Sequence, residues 1–172
     1  MKERGDAIVL IGFMGAGKSS VGRTLARMTG LPRFDTDEMI GSRFGLTVAD
    51  IFEKHGEEEF RDAETEALRG LTGNQAAIVV TGGGIVLRPE NRRLLRELGK
   101  VIHLSAEEET LFARISRRST RPLLGTEDRR ATVTELLRSR LPVYREVADV
   151  EVDTTLLSHD AVAQKILKSV EA

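Results

Sequence analysis

The stretch GFMGAGKS, from Gly12 to Ser19, places two glycines, a lysine and a hydroxyl at the spacing G-x-x-x-x-G-K-[ST]. Each of these answers a need of a polyphosphate. Glycines let backbone N–H groups turn inward around phosphate oxygens, the lysine reaches the β- and γ-phosphates, and the serine hydroxyl can ligate Mg²⁺. The apolar run AIVLI precedes the loop and VGRTLARM, with helical spacing, follows it. That helix would aim its positive amino end at the same anion. A plain glycine turn needs neither flank, so nucleoside triphosphate binding is expected at Gly12, Gly17, Lys18 and Ser19.

The chain has no N-K-x-D for guanine and no D-x-x-G switch, and the strand ending at Val80 runs into Thr81 and Gly82 where motor-type ATPases carry a magnesium aspartate. These features disfavour a GTPase switch or a mechanical ATPase. They leave the small-molecule and nucleotide kinases, in which an arginine-bearing lid closes over the phosphates and keeps water out.

Three features speak for the acceptor. DTD, Asp35 to Asp37, follows a candidate strand, and in strand geometry both carboxylates would point to one side. One would then organise Mg²⁺ water while the other binds or deprotonates an acceptor hydroxyl; alternatively, Asp37 is the N-cap of the next helix. TGGG, Thr81 to Gly84, follows another strand at the carboxyl edge where open α/β sheets bind ligands, and its glycines leave backbone amides accessible. The alternative is a flexible turn. Arg140 falls on the apolar stripe of Val133, Leu137 and Tyr144, where a guanidinium needs an anionic partner. Arg61 is either a second anion grip or an i,i+4 partner of Glu57. Two arginines, an aspartate and bare amides suit a hydroxylated acid.

The elements that must position these residues are read from short Val- and Ile-rich runs, which look like strands buried on both faces. Strands are expected at Ala7–Ile11, Ala76–Val80 and Lys100–Leu104, with weaker candidates at Leu31–Phe34 and Asp149–Val152. Helices are expected at Ser19–Met28, Asp37–Phe44, Thr47–Lys54, Glu57–Leu71, Pro89–Leu98, Ala106–Ser116, Thr132–Val147 and His159–Val170, several ending at a glycine. Alternation of this kind implies right-handed crossovers and a parallel sheet in one three-layer α/β domain. His103 and Tyr144 read as core. The arginine-rich segment Arg117–Arg130 reads on composition as a solvated loop.

Composition adds exclusions. Apolar content of 40%, charged content of 31% and a net charge of -1 give no bulk attraction to nucleic acid or membrane. Without cysteine there is no thiolate metal site, and three scattered histidines do not suggest zinc. The charged N-terminus and the lack of an apolar run near the ~18 residues of a membrane span lead us to expect a cytoplasmic protein.

In order along the chain, GFMGAGKSSVGRTLA, FDTD, FRDAETEAL, VVTGGGIVL, RPLL and RLPVYREVAD resemble shikimate kinase, over roughly Ile8 to Asp153. The resemblance implies a nucleoside monophosphate kinase-like fold: a five-stranded parallel sheet in the order 2-3-1-4-5 with helices on both faces. It implies a single domain over 1–172 with a lid near 117–130, acting as a monomer on a small-molecule substrate. The implied reaction moves the γ-phosphate of ATP to the 3-hydroxyl of shikimate. Gluconate-type hydroxy-acid kinases and a non-catalytic shikimate-binding domain are the alternatives.

Residue roles follow from the same resemblance. Gly12, Gly15, Ala16, Gly17, Lys18, Ser19 and Ser20 would cradle ATP, with Arg114 on the adenine. Ser19 and, through water, Asp35 would serve Mg²⁺. Asp37 would bind shikimate hydroxyls and act as the base. Arg61 and Arg140 would grip its carboxylate, beside the amides of Gly82, Gly83 and Gly84. Lys18 and Arg121 of RPLL would act on the transferred phosphate. Where some relatives carry a basic, proline-containing segment against adenine, this chain has TTLLSHD, so that wall has no expected side chain.

Overall fold

The computed structural model describes residues 3–73, 75–118 and 126–172. Five parallel strands form its sheet: β1 (Ala7–Ile11), β2 (Arg33–Asp35), β3 (Ile78–Val80), β4 (Gly99–Ser105) and β5 (Val150–Asp153). Their order is β2-β3-β1-β4-β5. β1 lies in the middle, with Val9 opposite Val79 on one side and Val101 on the other. All five of its residues are buried, which is why AIVLI shows no polar alternation.

Among the described residues, seven helices cover the sheet: α1 (Lys18–Thr29), α2 (Thr36–Phe44), α3 (Val48–Leu71), α4 (Pro89–Leu98), α5 (Glu108–Arg118), α6 (Thr126–Val147) and α7 (His159–Glu171). α1 packs on α7, while α4 packs on α3, α6 and β4. The core runs from the central strands through Leu25 of α1, Leu95 of α4, Tyr144 of α6 and Ile166 of α7. A smaller cluster of Ile40, Ile51, Phe60 and Ala63 joins α2 to α3.

Two expected helices, Thr47–Lys54 and Glu57–Leu71, are one element bent at Gly56, whose φ of 84° and ψ of 168° no helix contains. The glycine therefore does interrupt the helical hydrogen bonding, as a glycine after a helix should. α6 begins at Thr126, six residues before its expected start. An unforeseen 3-10 turn, Ile85–Leu87, follows the triglycine. Pro142 lies inside α6, between Arg140 and Tyr144.

Candidate active site

β1, β2 and β3 deliver their carboxyl ends to one edge, and the expected residues meet there. The side chains of Asp35, Thr47 and Ser158 cap α2, α3 and α7. α1 differs. Its N-cap is Gly17, in the left-handed region at φ 94°, with no side-chain cap and no acidic residue in its first turn. The helix thus presents unsatisfied N–H groups and undiluted positive potential to whatever enters the loop.

Lys18 is buried and folds back on its own loop, donating to the carbonyls of Gly12 at 2.6 Å and Phe13 at 3.0 Å. Burial pulls its pKa down to about 8, although Asp37 and Asp35 nearby pull upward. A cation held this reluctantly gains from an arriving anion.

The DTD segment differs from the expectation in an instructive way. β2 ends at Asp35 and α2 starts at Thr36, so the two carboxylates straddle a strand-to-helix junction and do not share a strand face. Asp35, and not Asp37, is the N-cap: its Oδ1 accepts from the N–H of Asp37 at 2.9 Å and of Glu38 at 3.3 Å. This leaves Oδ2, which lies 3.8 Å from Arg33 Nη1, clear of the cap. Asp37 is free of capping, and its buried Oδ1 has no hydrogen-bond partner among the described residues. Burial, then the Asp35 charge, raises its pKa above the ordinary carboxylate value, against the pull of Lys18 and Arg61.

A cleft of about 160 Å³ is lined by Met14, Gly15, Gly17, Lys18, Ser19, Asp35, Asp37, Thr81, Gly82, Gly83 and Arg118. A second, of about 220 Å³, holds Arg114, Thr154, Leu157, His159 and Val162 with Gly15, Ala16 and Gly17. Each alone is smaller than the ~300 Å³ at which ligand pockets usually begin. They share Gly15, Gly17 and Arg118, which joins them into one elongated site along the phosphate loop. A separate cavity of about 320 Å³ at the amino edge of the sheet is lined, among the described residues, by two carboxylates, Glu3 and Glu97, and no cation, a lining that repels a phosphate.

Arg114 anchors the second cleft. It donates to the backbone O of Gly15 at 3.2 Å, to Thr154 Oγ1 at 3.0 Å and to Thr154 O at 3.1 Å. Thr154 in turn bonds the carbonyl of Ser105 at 3.0 Å. Ser20 lines neither cleft and instead supplies its carbonyl to Thr24 within α1. The unassigned wall is Thr154, Leu157, His159 and Val162. Sequence spacing gave no signal for it, because β5 and α7 reach the phosphate loop only through the sheet order.

On the acceptor side Arg61 bonds Glu64 at 2.8 Å and Glu57 at 3.5 Å. The expected Glu57 contact is therefore the weaker one, and the firm partner is Glu64, fully buried one helical turn on. Nε of Arg61 and Oε1 of Glu64 are buried without partners among the described residues. Arg140 lies over the ring of Phe13 at 5.9 Å and forms no ion pair with a described residue. Around TGGG the glycines are spaced for side chains: none of the three has positive φ, yet a Cβ on Gly82 would strike Asp37 and one on Gly84 would strike the Arg61 guanidinium. The N–H groups of Gly82, Gly83 and Gly84 donate to no other described residue. The turn is thus built to let a carboxylate and a guanidinium close in beside bare amides.

Mg²⁺ was expected on Ser19 and Asp35. The donors present are hard oxygens: the Ser19 hydroxyl, Asp35 Oδ2 and the unpartnered Asp37 Oδ1. No group of three or more His, Asp or Glu side chains able to hold an ion occurs among the described residues. That combination fits Mg²⁺, which keeps several waters and leans on substrate phosphates, and would not fit an all-protein cage. Arg121 lies outside the described residues. Arg118, which the sequence offered only as one arginine of a basic segment, lines both clefts.

The shikimate kinase family model matches residues 14–171. A shikimate kinase of Thioalkalivibrio sulfidiphilus is 47% identical over 159 residues, covering 92% of this chain and 84% of that protein. One from Thermodesulfovibrio yellowstonii is 43% identical, covering 95% and 94%. The solved structure of shikimate kinase from Acinetobacter baumannii in complex with shikimate superposes with a TM-score of 0.89 at 40% identity, covering 97% of this chain and 93% of that one.

Proposed function

The chain belongs to the shikimate kinase family, and from that premise we propose how its residues act within one domain spanning 1–172. The enzyme phosphorylates shikimate with ATP and Mg²⁺, a step of the shikimate pathway toward aromatic amino acids. The products are shikimate 3-phosphate and ADP.

Phosphoryl transfer asks for positioning and charge neutralisation more than covalent chemistry. Gly12, Gly15, Ala16 and Gly17 turn their amides to the polyphosphate, with Ser20 in the first turn of α1 behind them. Lys18 leaves its carbonyl partners for the β- and γ-phosphates. Arg114 stacks on the base, and Arg121, on a lid near 117–130, reaches the transferred group. Ser19 and, through water, Asp35 hold Mg²⁺, which when bound offsets charge on the phosphate oxygens. Arg61 and Arg140 fix the carboxylate of the acid while Gly82, Gly83 and Gly84 offer N–H groups. Asp37 binds the reacting hydroxyl and takes its proton. Its raised pKa makes it a better proton acceptor than a solvated aspartate would be.

The observation that carries this reading is the convergence of Asp37, Arg61 and Arg140 on one triglycine turn beside the phosphate loop. The test is ADP release with Mg-ATP and no acceptor, shikimate or gluconate. A rate with shikimate alone is expected. A rate with gluconate alone would keep the phosphate cradle and overturn the acceptor assignment, and ATP binding without turnover would favour a silent binding domain. We further read the protein as a cytoplasmic monomer; no described helix is long and apolar enough to cross a membrane.

A further inference from the structure

We infer that Tyr144 is a positioning residue for the acceptor, acting by pinning the carbonyl of Gly83; this rests on the assignment of the triglycine amides to shikimate. Tyr144 is fully buried and its hydroxyl donates to Gly83 O at 2.5 Å. A core tyrosine needs a partner for its hydroxyl, and many backbone carbonyls would do. This one belongs to the active-site turn. Because a peptide unit is planar and trans, fixing the Gly83 C=O also fixes the N–H of Gly84, which points the opposite way. That N–H has no other described partner. The tyrosine therefore aims one of the amides that faces the acid.

The ring is itself held. It stacks on His103 with centroids 5.0 Å apart and planes 25° apart. His103 is buried in β4 and pairs in register with Ile11, the last residue before the phosphate loop. Tyr144 also follows Arg140 by four residues on α6, so both face the same side. A Cβ at Gly83 would stand 3.5 Å from Arg140 Nη1, an ordinary van der Waals contact, so the cation lies about one methyl group away from the turn. One side chain thus sets three parts against each other: the strand pair beneath the phosphate loop, the triglycine turn and the helix carrying a carboxylate grip. The bare alternative is a tyrosine that only fills the core.

Tyr144→Phe separates the two, since it keeps ring, stack and volume and removes only the hydroxyl, with its bond to Gly83 and its contact with the Arg140 guanidinium. Losing a buried hydroxyl partner and stranding its acceptor is expected to raise the KM for shikimate about fivefold to tenfold. The KM for ATP and kcat should stay within about twofold of wild type, the split that separates a binding effect from a transition-state effect. An unchanged shikimate KM, or equal rises in both KM values, would overturn the inference while leaving the kinase assignment in place. A double-variant cycle with Arg140→Lys locates the effect: additive losses place it in the turn, whereas complete overlap would place it in α6 and sink the proposal. Wild-type protein inert toward shikimate would remove both the acceptor assignment and this inference, a pattern distinct from either result with the variant.

Discussion

A Cβ built on Gly82 stands 2.7 Å from Oδ1 of Asp37, closer than side chains tolerate. Gly82 is not one of the positive-φ glycines, so alanine fits its backbone and the obstacle is the carboxylate alone. The short side chain of Asp37 can turn away at little cost in stability. Gly82→Ala should therefore lower the melting temperature by only a few degrees while turnover drops by on the order of 10², the penalty for a reacting group misplaced by about 1 Å. Parallel melting and turnover measurements decide this. A variant that loses stability but keeps turnover would show the glycine to be structural.

Asp37→Asn removes the proposed base and keeps its shape, so turnover should fall by at least ~10². Stability should move the other way. The folded pKa of Asp37 lies above its ordinary value of 3.8, so the folded chain holds the proton more tightly than the unfolded one, and this group's stabilisation is lost as pH rises through that window. At neutral pH the charged carboxylate is a cost that asparagine relieves. A rise in melting temperature accompanying the loss of turnover is the expected pair; a fall in both would mean the carboxylate is structural.

The central strands were legible because AIVLI and its partners are buried on both faces, and the phosphate loop because its spacing is fixed by the anion it encloses. The Asp35 cap was not, since a three-residue strand and a helix meet inside DTD and the 2-residue strand period fails there. Glu64 escaped for a different reason. Its neighbours on a helix rich in acids made it look like one more solvated charge, and only the packing of α3 beneath the turn buries it. The wall of Thr154, Leu157 and His159 depends on β5 lying next to β4, a long-range fact that local pattern does not hold.

Arg61→Lys is the informative change at the carboxylate grip. Arginine here bonds Glu64 at 2.8 Å and leaves Nε buried and unpartnered, a fork with capacity for a further acceptor. Lysine keeps the charge for Glu64 but cannot make two parallel bonds to a second carboxylate. The KM for shikimate should rise about tenfold, with kcat less affected and the KM for ATP unchanged. An unchanged shikimate KM in steady-state assays would remove Arg61 from substrate binding and leave it as the partner of a buried glutamate.

Lys18 sets the alkaline behaviour. Its pKa of about 8 in the nucleotide-free protein, against 10.5 unperturbed, means the loop loses its cation as pH passes about 8. The kcat/KM for ATP, which reports the free enzyme, should decline above that pH. At saturating nucleotide the phosphate charge favours the ammonium, so the decline in kcat should begin at higher pH. Across the same window the unfolded chain binds more protons than the folded one, so Lys18 makes the nucleotide-free protein more stable as pH rises from about 8 toward 10.5. Activity and stability should therefore separate in opposite directions, and profiles that fall together would assign the decline to unfolding.

Arg118 ends α5 and lines both the phosphate cleft and the base cleft, and it forms no ion pair with a described residue. Four residues earlier Arg114 is tied to Gly15 and Thr154, so the end of α5 is held against the loop while Arg118 extends along it. A solvent-exposed guanidinium on a phosphate contributes a charge-assisted bond that water and salt partly screen, so Arg118→Ala should lower kcat/KM for ATP about tenfold. Arg121→Ala, at the residue proposed to act on the transferred group, should cost at least ~10² in kcat. Titrations with ADP and adenosine separate the arginines: loss of Arg118 should weaken ADP and spare adenosine, since its role is with the phosphates, while loss of Arg114 should weaken both. Equal weakening of ADP and adenosine by Arg118→Ala would mean that this residue supports the base cleft and does not touch phosphate.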